Sequence, residues 1–491
     1  MADNVLYYGD NLDILRRYID DESVDLAYLD PPFKSEQDYN VLFVEQNGSR
    51  AAAQIKAFED TWRWDQIAAR SYQEVVEAGP EHVSLVMQGL RTFLRDSDMM
   101  AYISMMAPRL LELRRVLKPT GSVYLHCDPT ASHYLKLIMD AVFQPHNFRN
   151  EIIWGYRTGG VSKRAFAKKH DTILFYSKTK QYRFHTQYYK SWQIKKYNYS
   201  AKYPEYFDED KKMWYHKAVC RDVWEDINPI GTSAKERLSY PTQKPEALLE
   251  RIIRGSTNTG DVVLDPFCGC GTAVVVAESL KRRWMGIDIT HLAVALMKHR
   301  LRDRFGAKVK YKVIGEPVSL PDARTLAETD RYQFQWWALG LVGARPAEGK
   351  KGADRGIDGR LFFHDEADRK KARTKQIVLS VKSGKVGVKD VRDLRRVVER
   401  EKAEMGVLIS MEQPTSPMRR EAAGAGFYKS PWREEPYPRL QIRTVEELLK
   451  GTQIDSPPLG QVNVTFKRAP KSRANPGATL REANLFENSR T

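Results

Sequence analysis

Two short segments of this chain combine residue types that could do chemistry. The first places an acid, two prolines and an aromatic ring in a row, at Asp30-Pro31-Pro32-Phe33. The second places an acid before a glycine-rich turn, at Asp265-Pro266-Phe267-Cys268-Gly269-Cys270-Gly271-Thr272. Each follows an apolar run that reads as a buried strand. The two segments lie far apart in the chain, so only the fold can bring them into one site.

The glycine-rich turn predicts a site for a nucleoside cofactor. Glycines remove Cβ atoms where the backbone approaches a ligand at the carboxyl end of a strand. The next predicted strand, Trp284 to Asp288, ends in another acid about twenty residues further on, where a carboxylate accepts hydrogen bonds from ribose hydroxyls. NAD and flavin cofactors are competing interpretations, but the third glycine of the NAD fingerprint is missing.

The Asp30 segment could activate an exocyclic amino group of a nucleobase. The lone pair of such a nitrogen is delocalised into the ring, so the site must localise it before it can attack an electrophile. The Asp30 carboxylate and the Pro31 carbonyl could accept both amino hydrogens. Pro32 would stiffen the turn, and Phe33 would offer a face on which an extruded base stacks. An ordinary turn after a strand is the alternative interpretation.

Together the two segments resemble the catalytic and cofactor motifs of the DNA amino-methyltransferases that modify adenine N6 or cytosine N4. Their order, with a target-recognition region between them, is that of the β class. The resemblance covers roughly residues 1–312 and implies a Rossmann-like fold that binds S-adenosylmethionine and double-stranded DNA. It assigns the following residues to the cofactor site: Asp10, Lys244, Pro245, Asp265, Pro266, Phe267, Gly269, Gly271, Thr272 and Asp288.

The resemblance also implies separate roles for some of these residues. Asp10 corresponds to an acid near the adenine of the cofactor, and Asp288 corresponds to the acid that binds its ribose. Lys244 and Pro245 belong to a segment, Tyr240 to Pro245, that packs beside the methionine end of the cofactor.

The acid at position 30 bears on the target base. An Asp at the start of this motif resembles the adenine-N6 enzymes more than the cytosine-N4 enzymes. The resemblance therefore favours a site-specific adenine methyltransferase, with cytosine N4 as the alternative target. RNA and protein methyltransferases typically begin this motif with Asn or another residue.

His126 and His170 invite a general-base interpretation. We expect packing or hydrogen-bonding roles instead, because the methylated amine can lose its proton to water.

The elements that position these residues alternate between strand and helix. Residues 4–33 read as strand, turn, helix and strand. A second unit runs from a helix at Asp98–Leu117 to a strand at Ser122–His126, and a third occupies Val262 to Ile289. This alternation predicts a parallel α/β sheet.

The region between the motifs is rich in cations and aromatic rings. From Tyr156 to Lys217 there are 15 Lys or Arg, 5 Asp or Glu, and 16 Phe, Trp or Tyr residues. Such a composition suits a groove that contacts phosphates and stacks on bases, so residues 155–240 are predicted to contact DNA. A solvated insertion whose rings form a minor core is the alternative.

Bulk properties agree with a nucleic-acid partner. Lys and Arg exceed Asp and Glu by 79 − 63 = 16, and a chain this basic commonly meets a polyanion. With no secretory segment or membrane-spanning run, we expect a cytoplasmic, nucleoid-associated protein of a bacterium, archaeon or phage, with no membrane partner. A homodimer is compatible with the sequence. Cys268 and Cys270 lack a second Cys/His pair at zinc spacing, which argues against a metal there.

A second, smaller α/β unit is predicted after a loop-like boundary at Leu320–Thr325. We assign residues 1–320 to the methyltransferase, 321–450 to the smaller unit and 451–491 to a flexible basic tail. The tail is expected to make at most non-specific phosphate contacts.

The smaller unit resembles Mrr-like restriction endonucleases. In that family Asp358 would ligate Mg²⁺, and Lys382 would position or activate water. Ser380 stands where the family usually has Glu, Asp or Gln, although nearby Asp354 could compensate for it. Two interpretations therefore stand side by side: Mg²⁺-dependent cleavage by a fused restriction–modification protein, and a degenerate module that binds or positions DNA.

Overall fold

A computed structural model of the chain describes residues 4–32, 64–156, 164–197, 204–231, 234, 236–238, 243–347, 356–363, 374–430 and 435–457. Several residues singled out above lie outside the described residues, namely Phe33, Tyr240 to Thr242, Asp354 and the predicted tail beyond residue 457.

The described chain alternates between strands and helices. Numbered in chain order, the strands are β1 (Val5–Tyr8), β2 (Val24–Leu29), β3 (Leu117–Cys127), β4 (Phe148–Gly155), β5 (His170–Ser177), β6 (Tyr188–Gln193), β7 (Glu205–Asp208), β8 (Met213–Val219), β9 (Val223–Trp224), β10 (Val262–Asp265), β11 (Arg283–Asp288), β12 (Lys312–Ile314), β13 (Arg345–Pro346), β14 (Gly359–Phe363), β15 (Lys375–Lys382), β16 (Met405–Ser410), β17 (Phe427–Tyr428), β18 (Tyr437–Pro438) and β19 (Leu440–Thr444). The helices are α1 (Asn11–Tyr18), α2 (Gln66–Ala78), α3 (Glu81–Leu94), α4 (Asp98–Val116), α5 (Ser132–Phe143), α6 (Glu246–Ser256), α7 (Thr272–Ser279), α8 (His291–Phe305), α9 (Leu320–Thr329), α10 (Arg331–Leu341), α11 (Val388–Arg400), α12 (Ser416–Ala423) and α13 (Val445–Leu449).

The largest sheet has the strand order β12-β1-β11-β10-β2-β3-β5-β4-β9. From β12 to β3 every neighbouring pair is parallel, whereas β5 is antiparallel to both β3 and β4. The parallel strands therefore all end at one edge of the sheet. This arrangement confirms the predicted Rossmann-like α/β class.

Helices cover both faces of this sheet. Alternate residues of a strand point to opposite faces, and along β2 Ala27 and Leu29 join one core cluster while Leu26 and Tyr28 join another. The first cluster includes α1, α4 and α5, and the second includes α6, α7 and α8. The result is three layers with the sheet in the middle.

The basic region between the motifs contains a small antiparallel sheet of its own. Its strand order is β6-β8-β7, and its register pairs Trp192 with Tyr215 and Tyr206 with Tyr215. Residues paired across an antiparallel ladder share a face, so these three rings lie on the same side.

The smaller unit is built on a second mixed sheet, in the order β13-β14-β15-β16-β19. Its core lies on both faces: Ile377 and Leu379 of β15 pack with α9 and α10, and Val378 packs with α11 and α12. Strands β15, β16 and β19 are parallel, while β13, β14 and β15 are joined antiparallel.

The predicted loop at Leu320–Thr325 is wrong, because helix α9 occupies this segment. The Ser319 side chain caps the helix by accepting a hydrogen bond from Asp322 N at 3.3 Å. Pro321 lies in the first turn, where a missing N–H costs nothing. The proline and polar residues that suggested a loop are those that begin a helix.

Within the described parts of the chain, no helix is both long enough and apolar enough to cross a lipid bilayer.

Candidate active site at the carboxyl edge of the main sheet

The three motif acids lie on neighbouring strands. Asp30 directly follows β2, Asp265 ends β10 and Asp288 ends β11. These strands are adjacent and parallel, in the order β11-β10-β2. The two distant sequence motifs therefore meet at one edge of the sheet.

The glycine-rich turn after β10 is held by backbone conformation and by packing. Gly269 and Gly271 have φ values of +47° and +74°, which favour glycine. A Cβ on Gly271 would lie 2.6 Å from Cγ of Met297. Buried Arg300 donates to the Cys270 carbonyl at 2.9 Å and to the Thr272 hydroxyl at 3.2 Å. The turn thus has a defined shape before any ligand binds.

Asp288, the predicted ribose-binding acid, is held by three hydrogen bonds at the end of β11. Its carboxylate accepts hydrogen bonds from Gly269 N at 2.9 Å and from the Thr290 backbone and hydroxyl at 2.9 and 2.8 Å. Burial raises its pKa to about 6, and these hydrogen bonds oppose the shift. The next residue, Ile289, is apolar yet 48% exposed, and it was not singled out from the sequence.

Asp265 lies deeper than its neighbours. It is 4% exposed, and its Oδ1 accepts a hydrogen bond from Phe267 N at 3.1 Å. Burial raises its pKa well above the usual value, the backbone hydrogen bond opposes this shift, and the charge of Asp30 adds to it. Asp265 therefore shapes the turn, which continues through Pro266 and Phe267.

Asp30 is paired with Lys244. The ammonium Nζ lies 2.7 Å from each carboxylate oxygen of Asp30, and both side chains are largely buried. Pro245, the next residue, is the N-cap of α6. Lys244 and Pro245, predicted for the cofactor, thus lie beside the predicted catalytic acid, with Pro31 and Pro32 continuing the turn.

A second carboxylate, Asp171, lies near this pair and was missed as a site residue. Its Oδ2 is 3.0 Å from Nε2 of His126, whose Nδ1 is 3.1 Å from the Tyr28 hydroxyl. The Tyr156 hydroxyl donates to its Oδ1 at 3.4 Å. Burial would raise the pKa of Asp171, but the His126 hydrogen bond and the charges of His126 and Lys244 outweigh burial and lower it.

The two histidines have different surroundings. His126 is fully buried between Tyr28 and Asp171, in a hydrogen-bonding position of the kind expected. His170 begins β5 and is half-buried. The signal that could have revealed Asp171 is its place directly after His170, in the Lys169 to Leu174 segment.

Asp10 has a structural role that the sequence did not reveal. It is the N-cap of α1 and accepts a hydrogen bond from Leu12 N at 2.8 Å. Its other oxygen pairs with Arg109 at 2.8 Å, and Arg109 also donates to the Asn11 side chain at 2.5 Å. Asn11 in turn donates to the Pro266 carbonyl at 2.8 Å. This chain of contacts links Asp10 to the cofactor turn.

The basic sheet carries lysines over aromatic rings. Nζ of Lys190 lies 4.4 Å from the Tyr215 ring centroid, and Nζ of Lys211 lies 4.0 Å from that of Trp192. Tyr206 stacks on Tyr215 with centroids 5.5 Å apart. We call the side of this sheet that carries Lys190, Trp192, Tyr206 and Tyr215 the basic aromatic face.

In the smaller unit, Asp358 is held by fixed donors. Its Oδ1 accepts a hydrogen bond from Gln335 at 2.8 Å, and its Oδ2 accepts from the Ser380 hydroxyl at 3.1 Å and from Val381 N at 2.6 Å. Gln335 was missed because it lies on α10, 23 positions before Asp358 in the chain. Lys382 ends β15 on the same strand as Ser380.

Asp358, Ser380 and Lys382 do not by themselves supply a ligand set for a metal ion. Both Asp358 oxygens are already hydrogen-bonded within the protein, and Ser380 supplies no anionic ligand. Among the described residues, no group of three His, Cys, Asp or Glu side chains could hold a metal ion.

Two curated relatives are similar to parts of this chain. The type II methyltransferase M.HpaI of Haemophilus parainfluenzae is 34% identical over 198 residues, 40% of this chain and 58% of that protein. The DNA adenine methyltransferase YhdJ of Escherichia coli (strain K12) is 31% identical over 194 residues, 39% of this chain and 64% of that protein. The chain thus spans less than two thirds of the length of either relative.

A solved structure, the cytosine-N4-specific PvuII DNA methyltransferase, matches with a TM-score of 0.37 and 17% identity, covering 61% of this chain and 86% of its own. A family model for NACHT-associated inactive Restriction Endonuclease 1 matches residues 331–450. The endonuclease-like character of the smaller unit is supported, although the matched family is not the Mrr-like one. A second model, described as a DNA methylase of the N6/N4 type, matches residues 24–299, more than half of the 491 residues, and the chain therefore belongs to that DNA methylase family.

Proposed function

We propose that this protein transfers a methyl group from S-adenosylmethionine to the N6 atom of adenine in a specific sequence of duplex DNA. The observation that carries the proposal is the position of Asp30 beside the glycine-rich turn, on the adjacent strands β2 and β10. An acceptor for an amino group and a cradle for a nucleoside cofactor would then lie side by side at the carboxyl ends of these strands. The leading Asp30 favours adenine over cytosine.

The proposed roles follow from the contacts at this edge. S-adenosylmethionine, when bound, supplies an electrophilic methyl group on a sulfonium. Asp288 and Ile289 would hold its nucleoside, and the turn from Gly269 to Thr272 would approach it closely. The Asp30 carboxylate and the Pro31 carbonyl would accept the two amino hydrogens of the base and draw its lone pair toward the methyl group.

We propose that the basic aromatic face contacts DNA outside the target base. Lysines attract phosphates, and rings such as Trp192 and Tyr206 provide surfaces on which bases stack. The +16 formal charge of the chain favours the same partner.

The smaller unit is proposed to bind or position DNA without cutting it. The internal hydrogen bonds of Asp358 support this proposal, as does the description of the matched family as inactive. Plasmid incubated with the protein and Mg²⁺ should stay supercoiled, and nicking that disappears in Lys382→Ala would contradict the proposal.

The methyltransferase proposal is tested by incubating purified protein with S-adenosylmethionine and unmodified plasmid, followed by single-molecule sequencing. We expect modified adenine in one sequence context, and none in a matched reaction with Asp30→Ala. Modified cytosine would reassign the base to the N4 alternative. Unmodified DNA with the folded wild-type protein would contradict the proposed function.

A further inference from the structure

The contact between Lys244 and Asp30 creates a difficulty for the proposed reaction. Asp30 must accept a hydrogen bond from the incoming amino group, yet both of its oxygens lie 2.7 Å from one ammonium. A carboxylate has about four lone-pair sites, so the two partners could share it. An ammonium in place nevertheless withdraws negative charge from the acceptor, and the amino group would be activated less strongly.

The backbone that carries Lys244 is fixed on its C-terminal side. The following residue, Pro245, caps α6 with φ −61° and ψ 139°, so the backbone at this point is fixed by the proline ring and by the helix. The lysine side chain has four rotatable bonds between this anchor and its charge. A rotamer change of Lys244 moves its charge without moving the backbone.

A second carboxylate, Asp171, lies on β5, two strands from β2 in the same sheet. Register pairs Cys127 of β3 with Thr172 of β5, which places Asp171 one residue beyond the end of β3, and β3 neighbours β2. Asp171 is held by His126 at 3.0 Å and by Tyr156 at 3.4 Å. The charge of Lys244 is among the causes that lower the pKa of Asp171, so the ammonium acts on both acids.

We propose that Lys244 is a positioning residue whose ammonium binds Asp30 in the empty site and shifts to Asp171 when the target base arrives. Asp30 is thereby kept oriented beside buried Asp265 until the amino group replaces the ammonium. His126, which is hydrogen-bonded to Tyr28, holds Asp171 in place for this exchange. This inference rests on the proposed methyl transfer and adds a role for Lys244 beyond contact with the cofactor.

The proposal is tested by a double-mutant cycle on the full chain with Lys244→Met, Asp171→Asn and the double variant. Single-turnover methylation gives the rate constant, and titration without DNA gives the Kd of S-adenosylmethionine. Each single change should lower the rate about tenfold or more, with less than about a threefold change in that Kd. The double variant should be no slower than the slower single variant, because both changes remove the same exchange.

Two further variants control the cycle. Lys244→Arg should recover most of the rate, since it restores a cation. Lys118→Met removes a similar ion pair away from the site, because Lys118 of β3 lies 2.7 Å from Asp25 near the amino end of β2. Its rate should stay within about twofold of wild type. If Lys244→Met does not fold, as judged by its melting temperature, Lys244→Gln replaces it in the cycle.

Two outcomes would overturn the inference. Multiplicative losses in the double variant would mean that Lys244 and Asp171 act independently. A large rise in the Kd of S-adenosylmethionine for Lys244→Met at an unchanged rate would assign Lys244 to the cofactor instead. Failure of the proposed function itself is distinguishable, because the wild-type protein would then leave DNA unmodified.

Discussion

The larger unit has Asp30 directly after strand β2, and the smaller unit has Asp358 directly before strand β14. The two carboxylates have different kinds of hydrogen-bond partner. Asp30 is paired with Lys244, a flexible side chain with one mobile charge. Asp358 is held by Val381 N and by two neutral side chains. A carboxylate whose partner can move is available to a substrate. One bound by the backbone of its own sheet is part of the structure.

The largest expected effect separates the two acids by activity. Asp30→Ala removes the acceptor for the amino group and should lower the methylation rate by about 100-fold or more, by analogy with loss of one group that stabilises a transition state. Binding of S-adenosylmethionine should persist. Asp358→Ala is the matched control and should methylate at close to the wild-type rate. Equal losses of methylation rate in Asp30→Ala and Asp358→Ala would contradict the distinction between the two acids.

Stability should separate the two acids in the other direction. Asp358→Ala leaves Val381 N, Ser380 and Gln335 without their acceptor, and each unsatisfied buried donor costs about 1–3 kcal/mol. Chemical denaturation should show that the smaller unit has lost stability. Gln335→Ala, which removes one donor and leaves the carboxylate, should cost less. A wild-type unfolding curve for Asp358→Ala would contradict the structural role.

A third acid, Asp288, adds a pH dependence to the comparison. Burial raises its pKa to about 6, so the folded protein binds this proton more tightly than the unfolded chain does. Its contribution to stability is therefore complete below about pH 4 and is lost as the pH rises through about 6.

Asp288→Asn should remove this dependence. Between pH 4 and 7 the wild type should lose about 1–3 kcal/mol of stability relative to the variant, measured by denaturation at both pH values. Asp13→Asn, at a half-exposed position on α1, is the control and should run parallel to wild type. If the stability of Asp288→Asn also changed with pH in parallel with the wild type, the pKa of Asp288 would not be raised.

The smallest expected effect concerns the basic aromatic face. Lys190→Gln should weaken DNA binding slightly and lower the slope of log affinity against log salt by about one, because one phosphate contact is lost. Lys212→Gln is the control, since Lys212 pairs with Glu209 in the turn between β7 and β8. An unchanged salt slope for Lys190→Gln would place the DNA contact elsewhere.

The strands and turns that carry the motifs could be predicted because their signals are local. The apolar run at Val262 to Asp265 and the positive-φ glycine at Gly271 are readable from neighbouring residues. The helix at Leu320 was mistaken for a loop because capping residues also occur in turns. Arg109 and Asn11 could not be found, because their contact with Pro266 depends on helix packing.

The sequence by itself determined the residue types of the site and the α/β class, since both follow from short-range patterns and from the chemistry of an acid beside prolines or glycines. Only the tertiary structure decided which partner each acid has. Asp30 meets Lys244, which lies 214 positions away, and Asp358 meets Gln335. Strand order and helix packing decide such partners. Residues far apart in the chain then come into contact, and their separation in the sequence does not reveal it.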